Sequence, residues 1–187
     1  MDETAAESAM SAFEVTRLLP EDPEVISAAF SRIGWEKPVG QFRRYLAEQA
    51  AGERVVLVAR VGHAFAGYLT LLLTSAYRPF AERGIPEIQD LNVLPEFRRR
   101  GIATALLREA EMLAAKHHDA IGIGVALHRD YGPAQRLYIK LGFIPDGRGV
   151  AYDARTLEPM KAVPVDDRLT LYLTKSLWSA TTTRRPE

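Results

Sequence analysis

The sequence of 187 residues is 47% hydrophobic and 26% charged, a composition typical of globular proteins. Its 24 lysines and arginines balance 24 aspartates and glutamates, so the overall charge does not favour binding to nucleic acid or to a membrane surface. The lack of cysteine in this sequence excludes disulfides, thiolate metal sites and a catalytic thiol within it. An acidic first segment and the lack of any apolar run near about 18 residues predict a cytoplasmic protein.

Apolar periodicity begins near residue 13 and ends near residue 175. We therefore predict one domain over 13–175, between two mobile tails at 1–12 and 176–187. In the first half of the domain, the residue patterns predict a strand at 13–19 and helices at 23–33 and 39–52. They then predict the two strands of a hairpin at 54–60 and 64–73.

The second half continues with alternating strands and helices. The patterns predict a strand at 87–94, a strongly amphipathic helix at 101–117 and a short buried strand at 120–126. They then predict a helix at 132–142 begun by Gly132-Pro133, a strand from Phe143 onward and a last strand at 168–175. Gly122 and Gly124 predict close approach by another backbone or a ligand. The Gly- and Pro-rich residues 147–167 predict a binding loop or lid. This element order indicates an α/β domain with a mixed sheet.

Three adjacent arginines, Arg98, Arg99 and Arg100, precede Gly101 where a predicted strand gives way to a helix. The first amides of a helix lack partners within it and carry partial positive charge, so this junction can hold an anion. The small Gly101 and Ala103 would let a phosphate approach the backbone, and arginines add forked donors. A solvent-exposed corner would have the same local sequence. The lack of basic residues interleaved with aromatics does not favour nucleic-acid binding.

Two motifs together resemble the GNAT N-acetyltransferase superfamily. Arg98-x-x-Gly101-x-Ala103 is similar to the acyl-CoA loop signature Gln/Arg-x-x-Gly-x-Gly/Ala, and it follows a strand as in that family. About thirty residues on, AQRLYIKLGF at 134–143 is similar to the family's Ala-x-x-x-Tyr-x-x-x-Gly-Phe segment. The resemblance covers roughly 13–175. It implies an α/β, single-domain GNAT-like acyl-CoA N-acyltransferase fold, with a mixed central sheet flanked by helices.

The resemblance also implies where the co-substrate acetyl-CoA binds. The pyrophosphate would lie on the backbone amides of the loop, with the arginine side chains adding to them, and the pantetheine arm would pair with the preceding strand. The implied cofactor-binding residues are Leu91, Asn92, Val93, Arg98, Arg99, Arg100, Gly101, Ile102, Ala103, Thr104 and Ala134. A backbone amide near Val93 would stabilise the oxyanion. Tyr131 stands where the family often has an asparagine that contacts the cofactor, so that contact is in doubt.

Acyl transfer to an amine needs a proton acceptor and a proton donor. An amine of pKa about 10.4 is protonated at neutral pH, so a carboxylate usually takes its proton. Glu87 matches the position of the general base in histone-acetylating members, and Asp90 is the second candidate. Strand alternation would put the two on opposite faces unless a bulge intervenes, and either could be structural. Tyr138 matches the tyrosine that protonates the departing thiolate, although a core tyrosine would have the same sequence pattern.

The function implied by the resemblance is an N-acetyltransferase that transfers acetyl from acetyl-CoA directly to a primary amine of a small molecule or protein. Another acyl-CoA or acceptor, or a non-catalytic CoA-binding regulatory module, remain alternatives. Histidine spacing predicts no metal site, and we expect no nucleic-acid or membrane partner. The alternating last strand could pair with a second subunit in a homodimer. The candidate acceptor contacts are Trp35, Tyr77, Arg78, Phe80 and the loop 147–167.

Overall fold

The structure is a computed structural model that describes residues 13–177. The tail predicted at 1–12, and all but two residues of the tail predicted at 176–187, lie outside the described residues. The strands are β1 Phe13–Arg17, β2 Arg54–Val61, β3 Ala64–Leu72, β4 Glu87–Val93, β5 Ala120–Ala126, β6 Ile144–Tyr152, β7 Arg155–Thr156 and β8 Leu169–Ser176. The helices are α1 Asp22–Ser31, α2 Val39–Ala50, α3 Arg78–Ala81, α4 Ile102–Ala114 and α5 Gly132–Lys140.

The chain divides into two compact units. Among the described residues, the first contains 13–73 together with Ile88–Ala110, and the second contains Thr74–Glu87 and 111–177. The strands of the first unit follow the order β1-β2-β3-β4, and those of the second follow β5-β8-β6-β7. Each unit combines strands with helices, which confirms the predicted α/β class.

The core of the first unit is built from aromatic side chains. Antiparallel pairing of β1 with β2 and of β2 with β3 presents one face of the strands to α1 and α2. Phe30 of α1 and Phe42 of α2 both pack edge-on against Tyr68 of β3, with ring centroids 5.9 Å and 5.3 Å away. Burial of each such ring is worth roughly 1.5–3 kcal/mol, so this cluster anchors both helices on the strands.

The second unit has its last strand in a central position. β8 pairs antiparallel with β5 on one side and with β6 on the other. Its backbone groups are therefore used on both sides, and the prediction that this strand could pair with a second subunit is wrong. Alternation in the sequence shows that a strand is amphipathic, but it does not show whether the strand lies at an edge.

The segment 147–167 is more regular than its composition suggests. β6 extends to Tyr152 and the short β7 follows it, so eight of the 21 residues of the predicted loop are strand. Gly147 and Gly149 have φ values of +81° and +78°, and the pairing of β6 with β8 shifts register between Pro145 and Val150. The glycines thus form a bulge inside a strand, where sequence alone indicated a loop.

Gly67 lets two strands of the first unit come close together. A Cβ atom at this position of β3 would lie 2.5 Å from the backbone oxygen of Asn92 and 3.0 Å from the Cα of Val93. Real Cβ atoms do not approach other atoms so closely, and backbone yields less readily than a side chain. A glycine is therefore required where β3 passes the second half of β4.

We predict that Gly67→Ala lowers the free energy of unfolding by about 1–3 kcal/mol, because the new methyl group must displace the backbone of β4. Urea unfolding monitored by circular dichroism measures this change. Gly40→Ala is the matched control: it lies in α2 with open space around its Cβ position. Gly40→Ala should leave stability unchanged or slightly raised, and equal losses in the two variants would contradict the steric account.

Candidate functional site

The start of α4 has the geometry of an anion site. The first helical hydrogen bond runs from the Ala105 amide to the Gly101 carbonyl at 3.0 Å, which leaves the amides of Ile102, Ala103 and Thr104 without helical partners. Gly101 has φ +82°, a conformation that favours glycine, and no atom lies within 4 Å of its Cβ position. The donors, the helix dipole and the open space together fit a phosphate group.

The three arginines before α4 have different surroundings. Arg98 donates from Nε to the Val93 carbonyl at 3.1 Å, and its guanidinium lies 5.7 Å from the ring centroid of Trp35. The guanidinium of Arg100 lies over the Phe97 ring at 5.5 Å. Arg99 is exposed and has φ +65°, which bends the backbone just before the helix. Arg98 is thus largely engaged by the protein itself, and Arg99 and Arg100 are left as the cationic groups nearest the helix start.

Asp90 interrupts the extended conformation of β4. Its φ is +52°, in the left-handed region that is uncommon for residues other than glycine. The side-chain amide of Asn92 donates to the Asp90 carbonyl at 3.1 Å, which further stabilises this local turn. Side chains therefore do not alternate regularly between the two faces of β4, and alternation no longer predicts that Glu87 and Asp90 lie on opposite faces.

The Asp90 carboxylate is surrounded by donors from the first unit. Lys37 Nζ lies 2.9 Å from Oδ1, while Gln41 Nε2 and the Tyr45 hydroxyl donate to Oδ2 at 2.8 Å and 2.6 Å. Burial alone would raise the pKa of Asp90, but the Lys37 ammonium and the Tyr45 hydrogen bond outweigh it and hold the pKa below its ordinary value. Asp90 is therefore a half-buried anion at neutral pH.

The partners of Asp90 were not found from the sequence. Gln41 and Tyr45 are four residues apart and so lie on one face of α2, while Lys37 precedes the helix. Burial, followed by the charge of Asp90, raises the pKa of Tyr45 to about 12, so its hydroxyl remains a donor. Tyr68 is also buried beside Asp90, and among the described residues its hydroxyl has no hydrogen bond of good geometry. The sequence pattern that could have indicated these partners is a lysine, a glutamine and a tyrosine spaced four residues apart, as on one face of a helix.

Glu87 belongs to the second unit and is only 5% exposed. The Ser75 hydroxyl donates a very short hydrogen bond to it, and Ser75 in turn accepts the Tyr77 amide at 2.9 Å. Burial, followed by the nearby charge of Glu87, raises the pKa of Tyr172. Glu87 is thus a buried and oriented carboxylate.

Tyr138 lies on α5 in the second unit and is 6% exposed. Its ring packs edge-on against Phe143 at 6.2 Å, and no hydrogen bond joins its hydroxyl to another residue of the part that the structure describes. Burial, followed by the neighbouring Tyr131, raises the pKa of Tyr138, which keeps the phenol protonated. Ala134, one turn earlier on the helix, is half-buried. Tyr138 therefore combines a packed ring with an uncommitted proton donor.

The residues considered as acceptor contacts differ in exposure. Trp35 stacks on Phe30 at 5.9 Å yet remains 38% exposed. Tyr77 and Phe80 are each 1% exposed and pack with Tyr172, so they are core residues of the second unit. The exposed Arg78 pairs with a glutamate one turn along the chain. Of these four side chains, Trp35 and Arg78 present surface to solvent, and most residues of the segment 147–167 are exposed as well.

An open cleft of about 620 Å³ lies in the second unit at the end of β5. Its lining residues are His128, Arg129, Asp130, Val165, Asp166, Asp167 and Arg168. His128 bonds through Nε2 to Asp167 at 2.7 Å, which ties the segment after β5 to the segment before β8.

Within residues 13–177, no group of three or more histidines and carboxylates is arranged to hold a metal ion. In the same residues, no helix is both long and apolar enough to cross a membrane.

Comparison with known proteins identifies both the sequence pattern and the fold. The model of the acetyltransferase (GNAT) domain matches residues 52–145, which include the arginine-glycine loop and the segment of Tyr138. No curated protein sequence matches the chain.

Solved structures share the fold at low sequence identity. A GNAT-family protein from Desulfovibrio desulfuricans has a TM-score of 0.67 at 20% identity, over 89% of this chain and 100% of its own. An N-acetyltransferase from Staphylococcus aureus Mu50 also scores 0.67, at 17% identity, over 90% and 100%. Arabidopsis thaliana NAA60 in complex with acetyl-CoA scores 0.64 at 18% identity, over 88% and 98%.

The lowered pKa of Asp90 predicts a specific acid sensitivity. A carboxylate whose pKa is depressed by folding stabilises the protein above its unfolded pKa of about 4, and that contribution disappears as the pH falls through the folded value. The difference in unfolding free energy between the wild type and Asp90→Asn should therefore be constant above about pH 5 and shrink below about pH 4. Urea unfolding across this range measures it, and a difference independent of pH would contradict the prediction.

Proposed function

The chain belongs to the GNAT acetyltransferase family, and on this premise we propose that it transfers an acetyl group from acetyl-CoA directly to a primary amine of a small molecule or protein. The observation that carries the proposal is the start of α4, where three unpaired amides and the open Gly101 follow the family's signature. Acetyl-CoA supplies the activated thioester, and the residues of this chain bind it, orient it and move protons.

Binding of acetyl-CoA is assigned to the loop before α4 and to the second half of β4. The amides of Ile102, Ala103 and Thr104 would hold the pyrophosphate, supported by the side chains of Arg99 and Arg100. Arg98 would contribute through the Val93 carbonyl that it holds. The backbone of Leu91, Asn92 and Val93 would pair with the pantetheine arm as an added strand, and Ala134 would border the cofactor.

Transfer begins with removal of a proton from the ammonium group of the acceptor. We assign Glu87 as the acceptor of this proton, directly or through one water, because its carboxylate is buried and oriented by Ser75. The neutral nitrogen then forms a bond to the thioester carbon while an amide near Val93 donates to the oxygen on which charge develops. Asp90 is the weaker candidate for the base, since three donors already engage its carboxylate.

Cleavage of the carbon–sulfur bond leaves a thiolate that must be protonated. Tyr138 is assigned as the donor because burial keeps its phenol protonated and no described residue competes for its hydroxyl. The products are the N-acetylated acceptor and CoA with a free thiol. The acceptor ammonium loses two protons in all. The one taken by Glu87 passes to solvent, and the one lost from the nitrogen after the carbon–nitrogen bond forms replaces the proton given by Tyr138, so the site returns to its starting state.

Two measurements test the proposed function. Millimolar acetyl-CoA should raise the thermal midpoint, since a ligand at a hundredfold excess over its Kd stabilises the native state by about 2.7 kcal/mol. Free thiol should then appear when the protein is mixed with acetyl-CoA and members of an amine panel that includes polyamines, free amino acids and peptides with free N-termini. No thermal shift would refute CoA binding, and a shift without thiol release on any amine would favour a non-catalytic binding module.

Variants at Gly101 show whether the stabilisation comes from the start of α4. Gly101→Glu should abolish the thermal shift, because the carboxylate would repel phosphate at the helix start. Gly101→Gln is the matched control, with the same length and the same backbone strain at φ +82° but no charge. Gly101→Gln should retain more affinity than Gly101→Glu, and equal affinities would place the phosphate elsewhere.

We predict that Tyr138→Phe lowers kcat by roughly 10²–10⁴-fold, the usual contribution of a positioned proton donor, while acetyl-CoA affinity is retained. The ring and its contact with Phe143 are preserved, so stability should change little. Steady-state kinetics on the best amine of the panel and titration of acetyl-CoA provide the two readouts. An unchanged kcat would leave Tyr138 as a core residue.

A further inference from the structure

We propose that Asp90 is a positioning residue: its carboxylate, bound by Lys37 and by α2, fixes the left-handed turn in β4 and thereby the backbone of 91–93 that receives acetyl-CoA. This inference rests on the proposed function for the role of 91–93, but the structural part concerns this chain alone. It assigns Lys37, Gln41 and Tyr45 to the same task, and it removes Asp90 from the candidate bases.

The backbone at Asp90 requires support from its surroundings. A residue other than glycine at φ +52° inside a strand is strained, and such a conformation persists only where neighbouring contacts enforce it. Aspartate and asparagine tolerate this region better than other side chains do. The side chain at this position then supplies the enforcing contacts, because both carboxylate oxygens are hydrogen-bonded to groups outside β4.

The same contacts make Asp90 a poor base. A general base needs a free lone pair directed at the substrate and a pKa near the working pH. Asp90 has Lys37 on one oxygen and both Gln41 and Tyr45 on the other, and its carboxylate is mostly buried. Its ion pair with Lys37 favours the charged form, which opposes the uptake of a proton from an amine.

The backbone of the three residues that follow Asp90 is also held in place by neighbouring groups. The Asn92 side chain donates back to the Asp90 carbonyl, and Gly67 of β3 allows the neighbouring backbone to pack directly against Asn92 and Val93. At the other end, Arg98 holds the Val93 carbonyl. The segment 91–93 is therefore fixed at both ends and along one side, as is expected of backbone that must present hydrogen-bonding groups at set positions.

Neutralising both members of the ion pair tests this inference. In Asp90→Asn the backbone preference is kept, but Lys37 becomes a half-buried ammonium without its counter-charge, which is more damaging than loss of the pair as a whole. The double variant Asp90→Asn, Lys37→Gln replaces the pair with two neutral groups that can hydrogen-bond. Glu24→Gln is the matched control, because it removes an ion pair with Arg43 that is exposed and in the same unit.

The first readout is amide hydrogen exchange of residues 91–93, resolved by NMR in the protein without ligand. Exchange should be faster in Asp90→Asn by about tenfold or more, restored substantially in the double variant, and unchanged in Glu24→Gln. Unchanged exchange in Asp90→Asn would overturn the inference. If Asp90→Asn does not fold, Tyr45→Phe removes a single donor, and exchange at 91–93 must then rise for the inference to stand.

The second readout is activity. Asp90→Asn should lose about 10- to 100-fold in kcat/KM and should also bind acetyl-CoA more weakly, and the double variant should recover most of both losses. The acid limb of the pH–rate profile should persist in the double variant, whereas removal of a general base would abolish it. A double variant as inactive as Asp90→Asn would overturn the inference. A wild type that fails to bind acetyl-CoA would refute the proposed function, while the exchange data would still decide what Asp90 does to β4.

Discussion

The ion pair between Asp90 and Lys37 is the interaction on which the geometry of the first unit's site depends. It joins the strand β4 to the segment before α2, and the hydrogen bonds from Gln41 and Tyr45 extend the joint along the helix. An isolated buried charge would be unfavourable, but four groups of complementary polarity stabilise one another in a single arrangement. The left-handed turn of β4 lies at this joint, and the Asn92 side chain donates to the carbonyl of the same residue.

The anion site proposed at the start of α4 relies mainly on backbone, which is consistent with a chain of zero net charge. Helix amides and the dipole need no surplus of basic residues, and the small Gly101 keeps the approach open. All three arginines are exposed, and Arg98 in addition donates to the Val93 carbonyl and lies against Trp35. The arginine cluster at 98–100, which is conspicuous in the sequence, thus has a partly structural role.

Local patterns predicted most of the elements, because helix periodicity, caps and turns depend on neighbouring residues. The strand at 120–126 and the helix beginning near Gly101 were predicted within a few residues of their observed bounds. Properties that depend on distant chain segments were not predictable. Gly122, expected to face a backbone or a ligand, leaves room for the ring of Phe80, and the last strand lies between two others where an edge was expected. Each error concerns a neighbour far away in sequence.

The residues of the candidate site were likewise predictable only where they are close together in the sequence. The loop motif was visible because its residues are consecutive, but Asp90 and Lys37 are 53 positions apart and no spacing rule joins them. Nor does burial distinguish the roles of Tyr138 and Tyr68, since it raises the pKa of both phenols. What separates them is the neighbourhood of the hydroxyl: Tyr68 lies beside the charged Asp90, whereas the titratable neighbour that raises the pKa of Tyr138 is the phenol of Tyr131. A phenol beside a carboxylate stabilises that charge, whereas the role proposed for Tyr138, protonation of the leaving thiolate, needs a phenol that no charged group already engages.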